Sequence, residues 1–445
     1  GSVSRLKFAV FSCANYERGY FNVYREVSKR DDLDAVLFLG DYIYEYGVGE
    51  YGPTPAEAAG LVSPEVRPTT LLPQHEVKTL ADYRQRYATY RSDPWLQEMH
   101  RKNPWICVWD DHETANDTWS GGAENHEDGE GAWVDRVAAA TQAYHEWLPI
   151  RDNASGNLLK IWRSFDFGNL ARLVMIDSRL NSRDQQLAAT PYIANWTAAL
   201  QGQPYPADTL TNGQTRTMVG AEQEAYIRQQ MTGSTQTWQI LGNQVLVHYE
   251  AAPNIAQSPR LTTAQRTQLL GLLEQLFPGQ SSLIAQLGVA GLPLPDTSDW
   301  WIGYPNSRDA LYATLAASRN PIVLSGDTHN AWGVNLRAPA GGALVPIGVE
   351  FATPAVSSPG YEETVPVLAP ATAAGMITDA TQLLDQMVFA NTYQRGWMIL
   401  DITPERARNE WYFVSTVFSE NYTVSTATVA EAPVSSRAMT IVSTS

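Results

Sequence analysis

Val36-Leu37-Phe38-Leu39-Gly40-Asp41-Tyr42-Ile43-Tyr44 opens as a strand buried on both faces, breaks at Gly40, and hands a carboxylate, Asp41, to whatever lies beyond the strand tip. An isolated Gly-Asp would ordinarily cap a turn. Here four other segments end in the same manner, which makes Asp41 a candidate functional residue. Upstream, Leu6 to Phe11 reads as a first strand running into Ser12-Cys13-Ala14-Asn15, and residues 20–30 have helical spacing before Leu33 to Leu39 returns as a strand. This is a β-α-β unit whose two parallel strands deliver Cys13 and Asp41 to one sheet edge, where ligands collect. Taken alone, Cys13 would be a small buried hydrophobe.

Downstream the grammar repeats. Trp105 to Trp109 is an apolar strand, with Cys107 in the core, and it ends in Asp110-Asp111-His112-Glu113 with Asn116-Asp117 close behind. Carboxylate and amide oxygens suit hard cations and imidazole suits softer ones, and either Asp110 or Asp111 could be the ligand. Trp162 to Phe167 and Ala171 to Ile176 pair as strands that close on Asp177-Ser178-Arg179; Arg179 and Arg183 are placed to clamp an anion. A strand within Trp238 to Val247 is interrupted by Gly242-Asn243-Gln244, where Asn243 is a turn residue or a ligand. Pro321 to Leu324 then feeds Ser325-Gly326-Asp327-Thr328-His329.

Helices are predicted over Thr79 to His100 with a break at Pro94, Ala132 to Leu148, Glu222 to Met231, Ala264 to Leu276 and Ser307 to Ala317. The region after Leu276 reads as a Gly/Pro-rich linker to Trp300. Gly396 to Ile402 and Glu410 to Phe418 form a hairpin around Thr403-Pro404-Glu405-Arg406, and the tail from Asn421 supplies edge strands. Insertions near 46–78, 185–216, 251–306 and 353–392 interrupt one catalytic domain, residues 3–445, and those near 46 and 251 would line an entrance.

The chain has 445 residues, 44% of them hydrophobic, enough for a large core. No apolar window of about 18 residues could span a membrane. With 31 basic and 47 acidic residues the net charge is -16, which disfavours nucleic acid and requires a local positive site for any anionic substrate. Two cysteines make no disulfide framework. The opening Gly1-Ser2 resembles a tag scar, so a signal peptide is taken to have been removed and the protein to be secreted or periplasmic.

Five strand ends thus present Cys13, Asp41 with Tyr44, Asp111 with His112 and Asn116, Asn243, and Asp327 with His329. Such a donor set argues for a dinuclear or larger metal site with Asp41 as the bridging carboxylate, and a metal-bound hydroxide attacking phosphorus is the natural consequence.

The ordered blocks Gly40-Asp41, Asp111-His112-Glu113 and Gly326-Asp327-Thr328-His329 resemble the calcineurin-like metallophosphoesterase superfamily. Ser12 to Asn15, Leu39 to Tyr44, Val108 to Glu113 with Asn116-Asp117, Leu241 to Gln244 and Ser325 to His329 are similar, more closely, to the PhoD family of alkaline phosphatases and phosphodiesterases, in block order from about Leu6 to Phe413. The resemblance implies an α/β (α+β four-layer) fold of two facing mixed sheets flanked by helices. It implies Fe3+ on Cys13, Asp41, Tyr44 and His329, and Ca2+ on Asp41, Asp111, Asn116 and Asp327. His112 would be the acid near the leaving group, with Asp41 and Arg179 also catalytic; Asn15, His112, Arg179 and Asn243 would contact phosphate. The immunoglobulin-like domain of many relatives and the closing C-terminal helix of some are not expected here, so bulkier esters or diesters would be admitted. Phospholipase D-like or phosphotriester hydrolysis is the alternative on the same metals, and a calcium-stabilised surface-binding protein is the non-enzymatic one. No protein partner is implied.

Overall fold

The computed structural model describes residues 1–51, 67, 71–151, 155–186, 216–248, 254–259, 261–276, 279, 281–290, 299–360 and 386–443. Two seven-stranded sheets carry the fold. The first contains β1 (Leu6–Phe11), β2 (Ala35–Phe38), β3 (Trp105–Cys107), β11 (Gly396–Ile402), β12 (Arg406–Phe413), β13 (Thr428–Pro433) and β14 (Thr440–Ser443), in the order β14-β13-β12-β11-β1-β2-β3. The second contains β4 (Arg163–Phe167), β5 (Ala171–Met175), β6 (Trp238–Gly242), β7 (Pro321–Ser325), β8 (Ala331–Ala340), β9 (Ala343–Ala352) and β10 (Met387–Asn391), ordered β10-β8-β9-β7-β6-β5-β4. Both are mixed: β1-β2-β3 and β5-β6-β7-β9 run parallel, and the flanking pairs run antiparallel. The β-α-β unit is present, with α1 (Asn22–Val27) between its strands.

The sheets face one another across a shared apolar core. Phe8 of β1 meets Phe167 of β4 at 5.3 Å, and Trp411 of β12 sits 4.7 Å from Phe389 of β10 while its indole N–H donates to the Ala352 carbonyl at 3.0 Å. Buried aromatics carry large area, so these contacts fix how the sheets stack. On the outer face of the first sheet, Tyr24 of α1 packs edge-on against Phe11 and Trp105. There α2 (Leu80–Arg91) starts in a capping box of Thr79 with Asp82, and α3 (Pro94–Lys102) starts on Asp93, whose carboxylate accepts from the Trp95 and Leu96 amides. The break expected at Pro94 is therefore a new helix with proline in its first turn. Tyr144 of α4 (Trp133–Trp147) lies against Trp109.

On the outer face of the second sheet, Val174, Leu241 and Val323 form a separate cluster with Ile227 and Met231 of α5 (Gly220–Thr232) and Leu311 and Leu315 of α8 (Pro305–Ala317). Helix, sheet, sheet and helix give the four layers. The insertion after β6 holds α6 (Thr263–Leu276) and also α7 (Ser281–Ala290), where a linker was expected; its apolar Leu-Ile-Ala-Gln-Leu run has helical spacing that the neighbouring Gly and Pro residues hid. β12 begins four residues before the expected Glu410, so Arg406 is in the strand and not in the turn. The middles of the four expected insertions, 52–66, 187–215, 291–298 and 361–385, lie outside the described residues. Among the described residues no helix is long and apolar enough to cross a membrane.

Candidate metal centre

The parallel strands of both sheets end at one seam, stitched by a bridge between Ser12 and Ala355 and by Val356 N–H donating to the Ser12 carbonyl at 3.0 Å. Cys13 follows β1, Asp41 follows β2, and Asp327 and His329 follow β7; all four have positive φ, between 59° and 65°. For residues with side chains this left-handed region is unfavourable and persists only where the surroundings impose it, as at functional sites. Here Cys13 N–H donates to the Gly40 carbonyl at 3.1 Å and Ala14 N–H to the Asp41 carbonyl at 2.9 Å. Gly40, at φ 120°, permits the tips of β2 and β3 to converge, because a Cβ there would lie 2.3 Å from Asp110 Cβ and 2.5 Å from Asp110 N.

Three overlapping groups result, each with its potential ligand atoms within 4.8 Å of one another: Cys13, Asp41 and His329; Asp41, Asp111 and His112; Asp110, Asp111 and Asp327. Asp41 and Asp111 are each shared by two of them. Tyr44 joins the first group, its hydroxyl donating to Asp41 Oδ2 at 3.0 Å and lying 3.2 Å from His329 Nε2. Ser358 donates to the Tyr44 oxygen at 2.6 Å. Because His329 Nδ1 is bonded to the Pro359 carbonyl, which can only accept, the His329 lone pair lies on Nε2 and faces the cluster.

Asp41 Oδ1 is buried with no hydrogen-bond partner among the described residues. Burial pushes the Asp41 carboxyl well above its usual range; His112 pulls it back, and Asp111, Glu113 and Asp327 push it further. Burial and then the Asp41 charge raise the Cys13 thiol, and burial lifts Asp327 to about 6 against the pull of Arg179. An orphaned buried carboxylate oxygen amid an excess of acidic groups is the environment a multivalent cation satisfies. The first group, with Tyr44, adds sulfur, phenol and imidazole to the Asp41 carboxylate, and the third holds carboxylates alone.

Around this cluster the charges are held in fixed partnerships. His112 Nδ1 lies 2.8 Å from Glu45 Oε2, and its ring stacks on Tyr44 at 4.1 Å. Burial opposes the His112 charge, yet Asp111, Glu45 and Asp41 raise its pKa well above the ordinary histidine value. Glu45 is fully buried and also accepts from the Asn116 amide at 2.7 Å and Asn125 Nδ2 at 2.8 Å. Glu113 gathers the backbone N–H groups of Asp41, Tyr42 and Asp110. Arg179, fully buried, directs Nε to Asp110, Nη1 to Asp299 at 2.8 Å and Nη2 to Asp327 at 2.7 Å. Trp300 Nε1 donates to Asp327 Oδ2 at 3.0 Å.

The fold therefore brings Cys13, Asp41, Tyr44, Asp111, His112, Arg179, Asp327 and His329 together. Asn116 sits beside them with its amide nitrogen on Glu124 Oε2, 3.0 Å away. Asn243 lies in the loop after β6, with its amide nitrogen bonded to the Val245 carbonyl and its oxygen accepting from Trp301 at 3.0 Å. Asn15 uses its side-chain oxygen to cap the Glu17 and Arg18 amides. Both Asp110 and Asp111 enter the cluster, Asp110 with Arg179 as its ion-pair partner. Sequence reasoning did not single out Glu45, Asp299, Trp300 or Ser358. Glu45 adjoins Tyr44 and could have been found as an acid beside the opening block; Asp299 and Trp300 arrive from an insertion, and nothing local marks them.

The sequence profile of the family described as PhoD-like phosphatase matches residues 8–411. Alkaline phosphatase D of Bacillus subtilis is 30% identical over 436 residues, 96% of this chain, and the chain spans 62% of that relative's length. A solved structure titled "Structure of PhoD" superposes with a TM-score of 0.74 at 27% identity, covering 100% of this chain and 73% of that one. A dimetal phosphatase from Danio rerio, with a TM-score of 0.41 and 10% identity over 95% of this chain and 99% of its own, is too distant to argue from.

Proposed function

The chain belongs to the PhoD-like phosphatase family, and on that premise we propose that residues 3–445 form one catalytic domain that hydrolyses phosphoric esters with metal ions, as an alkaline phosphatase with phosphodiesterase activity. The observation that carries this reading is the Asp41 carboxylate, shared between two ligand groups, with one oxygen buried and unbonded among the described residues. Fe3+ suits Cys13, Asp41, Tyr44 and His329, and Ca2+ suits Asp41, Asp111 and Asp327 with Asn116, whose ligating atom would be Oδ1, the amide's lone-pair donor, while Glu124 holds the amide nitrogen. Bound cations would supply Lewis acidity toward phosphoryl oxygens and lower the pKa of water.

This chain's own residues do the rest. His112, with Nδ1 committed to Glu45, offers its other ring nitrogen as the proton donor to the leaving oxygen. Arg179 orients Asp110, Asp299 and Asp327 through three of its five N–H groups and keeps two for a phosphate oxygen. Asn243 has both amide ends occupied, so phosphate contact falls to His112, Arg179 and the Asn15 amide nitrogen.

Metal analysis of the purified protein tests the proposal. Iron with a charge-transfer colour is expected, and Cys13→Ala should lose both iron and turnover; a colourless, iron-free and fully active protein would overturn the assignment. Parallel assays of a monoester, a diester and a lipid diester separate the phosphatase reading from the phospholipase D-like one, since the cluster is common to both.

A further inference from the structure

Two tyrosines that the proposed reaction does not use stand beside the proposed proton donor. Tyr46 follows Glu45 directly, and its ring centroid is 5.8 Å from that of His112. Tyr51 lies 6.4 Å from His112, 5.4 Å from Tyr46 in an edge-to-face contact, and 5.6 Å edge-on from Tyr44. Both are half-buried, unlike Tyr44, which is buried. Edge-to-face packing fixes the two ring planes nearly perpendicular, at 86°, so together they form an aromatic corner.

A group that protonates a leaving oxygen must come within hydrogen-bond reach of it. Whatever that oxygen carries then lies close to His112, and Tyr46 and Tyr51 are half-buried rings with centroids 5.8 Å and 6.4 Å from it. We infer that Tyr46 and Tyr51 form a stacking platform for the leaving group, so that the site favours phosphoesters whose leaving group is a planar aromatic without negative charge, such as an aryl alcohol or a nucleoside. The remaining surroundings of His112 are anionic: Glu45 pairs with its Nδ1, and Asp111 Oδ1 accepts its backbone N–H at 3.0 Å. A leaving group that carries negative charge of its own is disfavoured beside these carboxylates, which excludes anionic leaving groups from the class. The inference rests on the phosphoesterase reading and names the substrate class for that same site.

The experiment compares phenylphosphonate with butylphosphonate, which bind without being hydrolysed, on the metal-loaded protein by calorimetry, alongside turnover of phenyl phosphate and glycerol 2-phosphate. Tyr46→Leu and Tyr51→Leu keep bulk and remove the ring; each should weaken phenylphosphonate about three- to ten-fold, the range set by one aromatic pair, and leave butylphosphonate within about twofold. Tyr46→Phe and Tyr51→Phe, which keep the ring, should bind phenylphosphonate like the wild type. Equal losses on both ligands, or none on either, overturn the platform and leave the phosphoesterase reading standing. A wild-type protein that binds neither phosphonate and splits neither ester overturns both.

Discussion

At the scale of single residues, the 2.8 Å contact between His112 Nδ1 and Glu45 Oε2 selects one tautomer, and the stack on Tyr44 fixes the ring plane. A carboxylate in that position stabilises the imidazolium and orients the remaining nitrogen. His112→Ala should lower kcat by about 10²- to 10⁴-fold, the usual contribution of a positioned acid. Glu45→Gln keeps the volume and the acceptor but removes the charge. It should lower kcat by about 10- to 100-fold, the range seen for groups that orient a catalytic or ligating side chain, with metal content unchanged. Steady-state kinetics with metal analysis checks this, and loss of metal in Glu45→Gln would mean the carboxylate serves the cluster instead. Glu45 was legible only as a neighbour of a recognised block, because its contact to His112 spans 67 residues of sequence.

At the scale of elements, strand tips converge because small and strained residues allow it. Gly40 meets Asp110, and Cys13, Asp41, Asp327 and His329 accept left-handed backbone. Gly40→Ala would place a Cβ 2.3 Å from Asp110 Cβ at a φ of 120°. Overpacking and a glycine-only conformation each cost about 1–3 kcal/mol, so a loss of about 3 kcal/mol or more in denaturant unfolding is expected, together with lost metal binding. A variant as stable as the wild type would show that the tips can separate freely. The strands and most helices were legible from apolar runs and 3.6-residue spacing, whereas α7 was obscured by the glycines and prolines around it.

At the scale of the whole molecule, the second sheet is fastened to the loop after β6 by one buried carboxylate. Glu350 of β9 accepts from the Val247 and His248 amides and from Ser325 Oγ, and its Oε2 is 3.0 Å from His248 Nδ1. Burial works against its charge, but these partners hold its pKa below the ordinary 4.5. A depressed carboxyl stabilises the fold fully above the unfolded value and loses that contribution as pH falls toward the folded one. Glu350→Gln should therefore cost about 3–5 kcal/mol at neutral pH, as for one partner removed from a buried pair. The gap from the wild type should narrow as pH drops below 4.5. Unfolding curves at pH 7 and pH 4 check both statements, and a gap independent of pH would remove the charge from the explanation.

The amino-acid sequence by itself determined the strand grammar, the family and the identity of most clustered residues, since each strand tip is written locally as an apolar run, a small residue and a donor. Only the tertiary structure decided which donors share space. It placed Asp41 and Asp111 in two groups each, turned the amide of Asn243 into the frame, and drew Asp299 and Trp300 from an insertion onto Arg179 and Asp327. The physical reason is that a side chain's type is a local property, while its partners depend on how two sheets stack and on which buried charges must then be neutralised.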